Sequence, residues 1–177
     1  MSLKSHKIVL INLIRMLPKK KNFRMAEIGL GRTGAFRKIL KLIPESIFEY
    51  WGIDPFFPSF AIGEEEKYEK TRTHLYLKAC KSMLQYPQLR IIRAPSPEIA
   101  KIFPDEFFDL VFIDANHSYD AVKADILAWL PHVKLRRFLT GHDYFHGESG
   151  VVKAVDEFFD TNVIVIKRVW IHQRKNE

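Results

Sequence analysis

At 177 residues the chain has the size of one ordinary domain, and its 47% of hydrophobic residues is enough for a packed core. Its single cysteine, Cys80, excludes a disulfide framework and a cysteine-rich zinc site, and suits the reducing cytoplasm in which the protein is expected. The net charge of +7 gathers at 19–21, 136–137, 167–168 and 174–175 without interleaved aromatics, so it reads as a solvated basic surface, with neither nucleic acid nor membrane expected as partner.

In chain order, Ile8, Leu10, Ile11, Ile14 and Leu17 recur at helical spacing, which predicts an amphipathic helix and then a basic linker within residues 1–20. No apolar run is long enough to span a bilayer and the start lacks a signal-peptide pattern, so a soluble chain is expected, with residues 1–177 as one domain. Residues 23–28 read as the first strand. Glu27-Ile28-Gly29-Leu30-Gly31-Arg32-Thr33-Gly34 follows, and its three glycines have the G-x-G-x-x-G spacing of a nucleotide-binding turn opening a helix over 32–43. Residues 47–53, aromatic and β-branched, form the second strand, which Asp54 closes. A long helix over 64–86 should bury Leu75, Leu77, Ala79, Met83 and Leu84, and Pro87 stops it.

Residues 89–92 give the third strand and 97–103 a short helix. The apolar run 107–113 suits a central parallel strand covered on both faces, and it ends on Asp114. Ser118 can cap a helix through Ala121, Val122, Ile126 and Leu130. Residues 138–140 form the fifth strand and 150–159 a last helix, while 163–166 and 169–172 can pair as a closing hairpin. Strands alternating with helices in this way form a mostly parallel sheet with helices on both faces, and ligands bind beyond the carboxyl ends of its strands. Glu27, Gly29, Gly31, Gly34, Asp54, Ser96, Asp114, His117, His142 and Asp143 all fall there.

Asp54, twenty positions past Gly34, can accept hydrogen bonds from both hydroxyls of a ribose. Glu27 separates two cofactors. Two residues before the first glycine, its charge repels the pyrophosphate of a nicotinamide dinucleotide and attracts the sulfonium and ammonium of S-adenosylmethionine. A plain turn or helix-dipole contact is the alternative role for Glu27.

Together with Phe-Asp-Leu-Val-Phe-Ile-Asp-Ala-Asn-His-Ser-Tyr-Asp at 108–120, Gly-His-Asp-Tyr at 141–144 and Gly-Val-Val-Lys-Ala-Val-Asp-Glu-Phe at 150–158, this pattern resembles the class I S-adenosylmethionine-dependent methyltransferases. Within them it is similar to the small methyltransferase-24-like group related to metal-dependent sugar and catechol O-methyltransferases. The resemblance covers residues 23–159. It implies a Rossmann-like, doubly wound, seven-stranded sheet with a C-terminal antiparallel hairpin. It also implies methionine-end contacts at Glu27 and Gly29, ribose contacts at Asp54, and adenine contacts after the third strand. Asp114 joins the cofactor contacts.

Two segments depart from the group. Ala94-Pro95-Ser96 stands where a carboxylate commonly meets the adenine, so Ser96 or backbone groups take its place; Lys134-Leu135-Arg136-Arg137 replaces a glycine turn distant from the cofactor.

At the ends of strands four and five, two carboxylates and two imidazoles suit a metal and a base. The resemblance implies that Asp114, His142 and Asp143 hold a divalent cation, Mg²⁺ for oxygen ligands or Mn²⁺ once a histidine takes part. His117 is the first choice of general base, since an imidazole is the side chain suited to take a proton near neutral pH and it sits where it can reach an attacking hydroxyl. The expected activity is O-methylation of a small hydroxylated acceptor, a sugar, polyol or catechol, with His117 and Asp114 as catalytic residues. The weaker alternatives are a non-catalytic S-adenosylmethionine-binding module, an NAD-dependent oxidoreductase and an RNA methyltransferase. Phe56, Phe57, Tyr144 and Phe145 are candidate acceptor contacts, and the first helix and closing hairpin offer apolar surface for homo-oligomers.

Overall fold

In the chain's computed structural model the described residues are 6–17, 22–31, 34–56, 65–147, 149–160 and 162–175, with backbone alone for 65–70 and 149. Lysines 19–21, Arg32 and Thr33 of the glycine turn, Phe57 and Glu64, all named above, lie outside them.

Seven strands form one sheet in the order β3-β2-β1-β4-β5-β7-β6. They are β1 (Arg24–Ile28), β2 (Glu49–Ile53), β3 (Leu89–Ile92), β4 (Phe108–Ile113), β5 (Val133–Gly141), β6 (Ile164–Ile166) and β7 (Val169–Gln173). β1 to β5 pair in parallel, and β7 runs antiparallel between β5 and β6. The expected seven-stranded, mostly parallel sheet with a closing hairpin is the one observed.

Alternate residues of each strand feed different cores, as the two-residue period of a strand requires. Met25, Leu110 and Phe112 face α1 (His6–Met16), α2 (Phe36–Leu42) and α3 (Glu65–Gln85). Ala26, Ile28, Val111 and Ile113 face the opposite layer, α5 (Tyr119–Trp129) and α6 (Ser149–Phe159), with α4 (Ser96–Ile99) at its side. Every residue of β4 is buried, which is why it reads as an apolar run interrupted only by Asp109. Helix α1 docks through Val9, Leu10, Ile11 and Ile14. Ser118 caps α5, its hydroxyl accepting from the Ala121 N–H at 3.4 Å. No described helix is long and apolar enough to cross a membrane.

Three expectations are corrected. On α3, Ala79 is buried and Leu75, Tyr76 and Met83 pack on the core, but Leu77 is 52% and Leu84 91% exposed. At 100° per residue those two leucines lie about 140–160° round the helix from Ala79. The fifth strand begins at Val133 rather than near 138, because the chain passes through an irregularity in the β4–β5 register with Arg136 at φ +61°. Arg137, expected in a solvated turn, is buried there with its Nε 3.1 Å from Asp109 Oδ1, while Lys134 Nζ reaches Oδ2 at 2.6 Å.

Candidate active site

The first strand ends in the glycine turn because its continuation is blocked by the neighbouring strand end. Gly29 has φ +88°, and a Cβ there would stand 2.2 Å from the carbonyl oxygen of Asp114. Only glycine satisfies both the conformation and the contact. Gly31 also has positive φ, but a Cβ there would meet nothing within 4 Å among the described residues. The Gly34 N–H donates to the Leu30 carbonyl at 2.8 Å and closes the turn.

Glu27 is 1% exposed and points to the start of α2. It accepts from the Ala35 N–H at 2.5 Å, the Phe36 N–H at 3.2 Å and the Tyr50 hydroxyl at 2.8 Å. These contacts match the turn and helix-end alternative for this residue. All three donors are neutral. Burial, followed at a distance by the charge of Asp114, pushes the Glu27 carboxyl up to about 7, while the three hydrogen bonds pull it back. A buried acid with neutral donors and an acidic neighbour fits a cationic ligand and opposes an anionic one.

Asp54 knots the turn to the end of β2. Its Oδ2 accepts from the Leu30 and Gly31 N–H groups at 2.9 and 3.0 Å, and its Oδ1 from the Phe56 N–H at 2.6 Å. Phe56 is buried against Tyr76, so its role is packing.

Ser96 goes elsewhere. Its hydroxyl donates to Asp125 Oδ1 at 2.5 Å and accepts from the Trp129 Nε1 at 2.7 Å, which ties α4 to α5 inside the protein. With its only proton given to Asp125, this hydroxyl is not a donor for an adenine. Asp125, absent from the sequence reading, is pushed up to about 6 by burial. Sequence alone offered no signal for it, since an aspartate inside a helix ordinarily faces water.

On the acceptor side, Asp114, His117 and Asp143 each present one ligand atom within 4.8 Å of the others. Asp143 Oδ2 lies 3.2 Å from His117 Nε2 and 3.1 Å from His142 Nδ1, and His142 Nδ1 lies 3.7 Å from Asp114 Oδ1. Four side chains from two strand ends thus gather there, but the three whose ligand atoms converge are Asp114, His117 and Asp143, so His117, expected as the base, stands in this group where His142 was expected as the third ligand. Burial raises the Asp114 carboxyl, the pull of His142 and His117 opposes that rise, and Asp143 adds to it. Asp143 sits at φ +56°, a conformation an L-residue adopts at a cost of about 1–3 kcal/mol, so the surrounding structure imposes its direction. Two carboxylates and an imidazole fit a divalent cation, and the nitrogen favours Mn²⁺ over Mg²⁺.

Two supports of this cluster went unseen in the sequence. A Cβ on Gly150 would come within 2.4 Å of the His117 carbonyl oxygen, so the missing side chain lets α6 press against the loop that carries His117. From the other layer, the His6 ring stands 4.5 Å from the ring of His142 and 5.8 Å from that of Phe112. Burial and then the nearby charge of His142 push His6 down to about 4, so its ring is neutral at pH 7 and acts through contact. The other aromatic candidates are engaged at the rim: the Tyr144 hydroxyl donates to Asp156 at 2.7 Å and Phe145 lies under the Arg168 guanidinium at 4.0 Å.

Against known proteins, residues 27–144 match the family profile described as a methyltransferase domain. Among solved structures, the O-methyltransferase NovP superposes with a TM-score of 0.65 at 18% identity, over 96% of this chain and 81% of that one. CalS11, a TDP-rhamnose 3′-O-methyltransferase of calicheamicin biosynthesis, gives 0.62 at 14%, over 94% and 76%. MycE, a methyltransferase of the mycinamycin biosynthetic pathway solved with Mg, SAH and mycinamycin VI, gives 0.56 at 17%, over 89% of this chain and 46% of that one. At such identities the likeness is one of fold. No curated protein sequence matches the chain.

Proposed function

The chain belongs to the methyltransferase-domain family, and from that premise we propose that it carries a methyl group from S-adenosylmethionine to the oxygen of a small hydroxylated acceptor, a sugar, polyol or catechol. The observation that carries the oxygen acceptor is the 3.2 Å approach of His117 Nε2 to Asp143 Oδ2. A carboxylate can only accept, so it holds the proton on Nε2 and makes Nδ1 the basic nitrogen of the ring. His117 is also the more open of the two imidazoles, its side chain 39% exposed against 19% for His142, as suits the ring that meets the acceptor. That NovP and CalS11 are O-methyltransferases by name supports the same reading.

S-adenosylmethionine supplies a methyl group on a sulfonium that leaves as a neutral thioether, the electron pair of the broken carbon–sulfur bond staying on sulfur. Gly29 and Gly31 let the backbone approach it, Glu27 and Asp114 set a negative potential for its positive end, and Asp54 closes the ribose side. His117 Nδ1 takes the acceptor proton as its oxygen bonds to carbon. Alignment of two bound reactants on one rigid sheet edge is the larger share of the rate enhancement. A divalent cation would be held by Asp114 and Asp143 and, with His117 assigned as the base, by His142, whose Nδ1 lies 3.7 and 3.1 Å from those two carboxylates; it would supply Lewis-acid stabilisation and a template for adjacent acceptor oxygens.

Calorimetry with S-adenosylmethionine and S-adenosylhomocysteine, followed by a labelled-methyl screen over sugars, polyols and catechols with and without Mn²⁺, tests this. Both nucleosides should bind, and label should enter a hydroxyl of one acceptor class. His117→Ala should lower kcat by at least about 100-fold with S-adenosylhomocysteine affinity unchanged. Absence of binding by either nucleoside sinks the proposal, and a variant with undiminished kcat removes His117 as the base.

A further inference from the structure

We propose that His6, at the head of α1, is a positioning residue of the acceptor site, the wedge that fixes the direction of the His142 imidazole toward Asp114 and Asp143. The inference rests on the reading just given of that cluster. Its ground is a chain of ring contacts across three parts of the fold, one stacked and one tilted. Phe112 belongs to β4 and is completely buried, so its ring is a fixed floor. The His6 ring lies nearly parallel to that floor, 21° between planes, and meets the His142 ring at 55°. Helix α1 holds the wedge in place, since Val9, Leu10, Ile11 and Ile14 just after His6 are buried against the sheet.

The consequence for His142 follows from its own geometry. Its backbone is fixed by the N–H donated to the Ile113 carbonyl at 3.0 Å, which leaves ring rotation as its main freedom. With the His6 ring tilted at 55° and 4.5 Å away, that rotation is hindered and Nδ1 is kept 3.1 Å from Asp143 Oδ2 and 3.7 Å from Asp114 Oδ1. Without the wedge the imidazole gains rotamers, and the cluster must order it again each time a cation binds. Helix α1 is therefore part of the site as well as a cover for the sheet.

The test compares His6→Ala, which removes the wedge, with His6→Phe, which keeps a flat ring of similar size and no nitrogen. Mn²⁺ affinity is read by electron paramagnetic resonance titration, and the His142 ring by a long-range ¹H–¹⁵N spectrum, with His142→Gln assigning its signals. Thermal melting checks that each variant folds. His6→Ala should weaken Mn²⁺ roughly tenfold, the scale of lost support behind a ligand. In the spectrum it should turn the single Nδ1–H signature of His142 into an averaged one. His6→Phe should restore both, and the affinity for S-adenosylhomocysteine should stay at the wild-type value throughout. Unchanged Mn²⁺ affinity together with an unchanged His142 signature in His6→Ala overturns the proposal, as does failure of His6→Phe to rescue. If the wild-type protein takes up no Mn²⁺, the cation part of the functional reading falls. The imidazole spectrum then decides the role of His6 by itself: averaging in His6→Ala with rescue in His6→Phe upholds it, and no change overturns it.

Discussion

Glu27 carries a proton-linked signature that sets it apart from an ordinary carboxylate. In the absence of ligand its pKa is raised to about 7 by burial, so just below that pH the carboxyl is mostly protonated. A cationic ligand favours the ionised form and lowers this pKa, which means that binding releases a proton below about pH 7 and affinity rises with pH until it levels off above it. Calorimetry of S-adenosylmethionine at pH 6 in two buffers of different ionisation enthalpy should return a net proton release, and Glu27→Gln should abolish it. Proton uptake in the wild type would reverse the sign and remove the cationic contact. Gly29 makes a steric prediction. Because an added methyl would meet the Asp114 carbonyl oxygen at 2.2 Å, Gly29→Ala must push the two strand ends apart, and loss of detectable S-adenosylhomocysteine binding is expected. Retained affinity in that variant would place the ligand elsewhere.

The elements were legible where their periodicity is local. The mainly apolar runs that end at Ile28 and Ile113 sufficed to place β1 and β4, which are buried almost throughout. The start of β5 was not legible, because a charged Lys-Leu-Arg-Arg run reads as a surface turn unless the buried partner of one arginine is known. That partner, Asp109, is 0% exposed and lies on the next strand. The two adjacent arginines then respond in opposite directions to substitution. Arg136 is exposed and left-handed at φ +61°, where an L-residue is strained by about 1–2 kcal/mol. Glycine relieves that strain but adds chain entropy of about 0.5–1 kcal/mol, so Arg136→Gly should stabilise by up to about 1 kcal/mol. Arg137→Ala strips a buried carboxylate of a buried partner and should destabilise by about 3 kcal/mol, softened by the remaining Lys134 contact. Urea unfolding of both variants reads the two signs, and a destabilised Arg136→Gly would mean that its side chain matters more than its backbone.

Across the whole molecule, the strand order reverses between β1 and β4, with β2 and β3 continuing to one side and β5 to the other. Sheets of this kind leave a crevice at that reversal, and here the glycine turn and Asp114 face each other across it. The crevice was readable in advance because glycine spacing and strand-ending acids are local signals. What lines it from a distance was not: Ser96 meets Asp125 and Trp129 across 29 and 33 residues, and no local pattern marks such a pairing. A ligand that spans the reversal ties the ends of β1, β2 and β4 together, so it should stabilise the fold as one unit. S-adenosylhomocysteine at about 100 times its Kd adds about 2.7 kcal/mol by mass action. For a chain of this length that is a rise in midpoint of roughly 5–10 °C. Hydrogen exchange should slow at 29–31, 54–56 and 114–117, the backbone around the reversal. The open groove at the opposite sheet edge, lined by Pro44, Phe48, Pro87 and Arg90, should exchange as before. Slowed exchange confined to that groove would move the binding site to the wrong end of the strands, since the turn, the acids and the histidines all gather at the other.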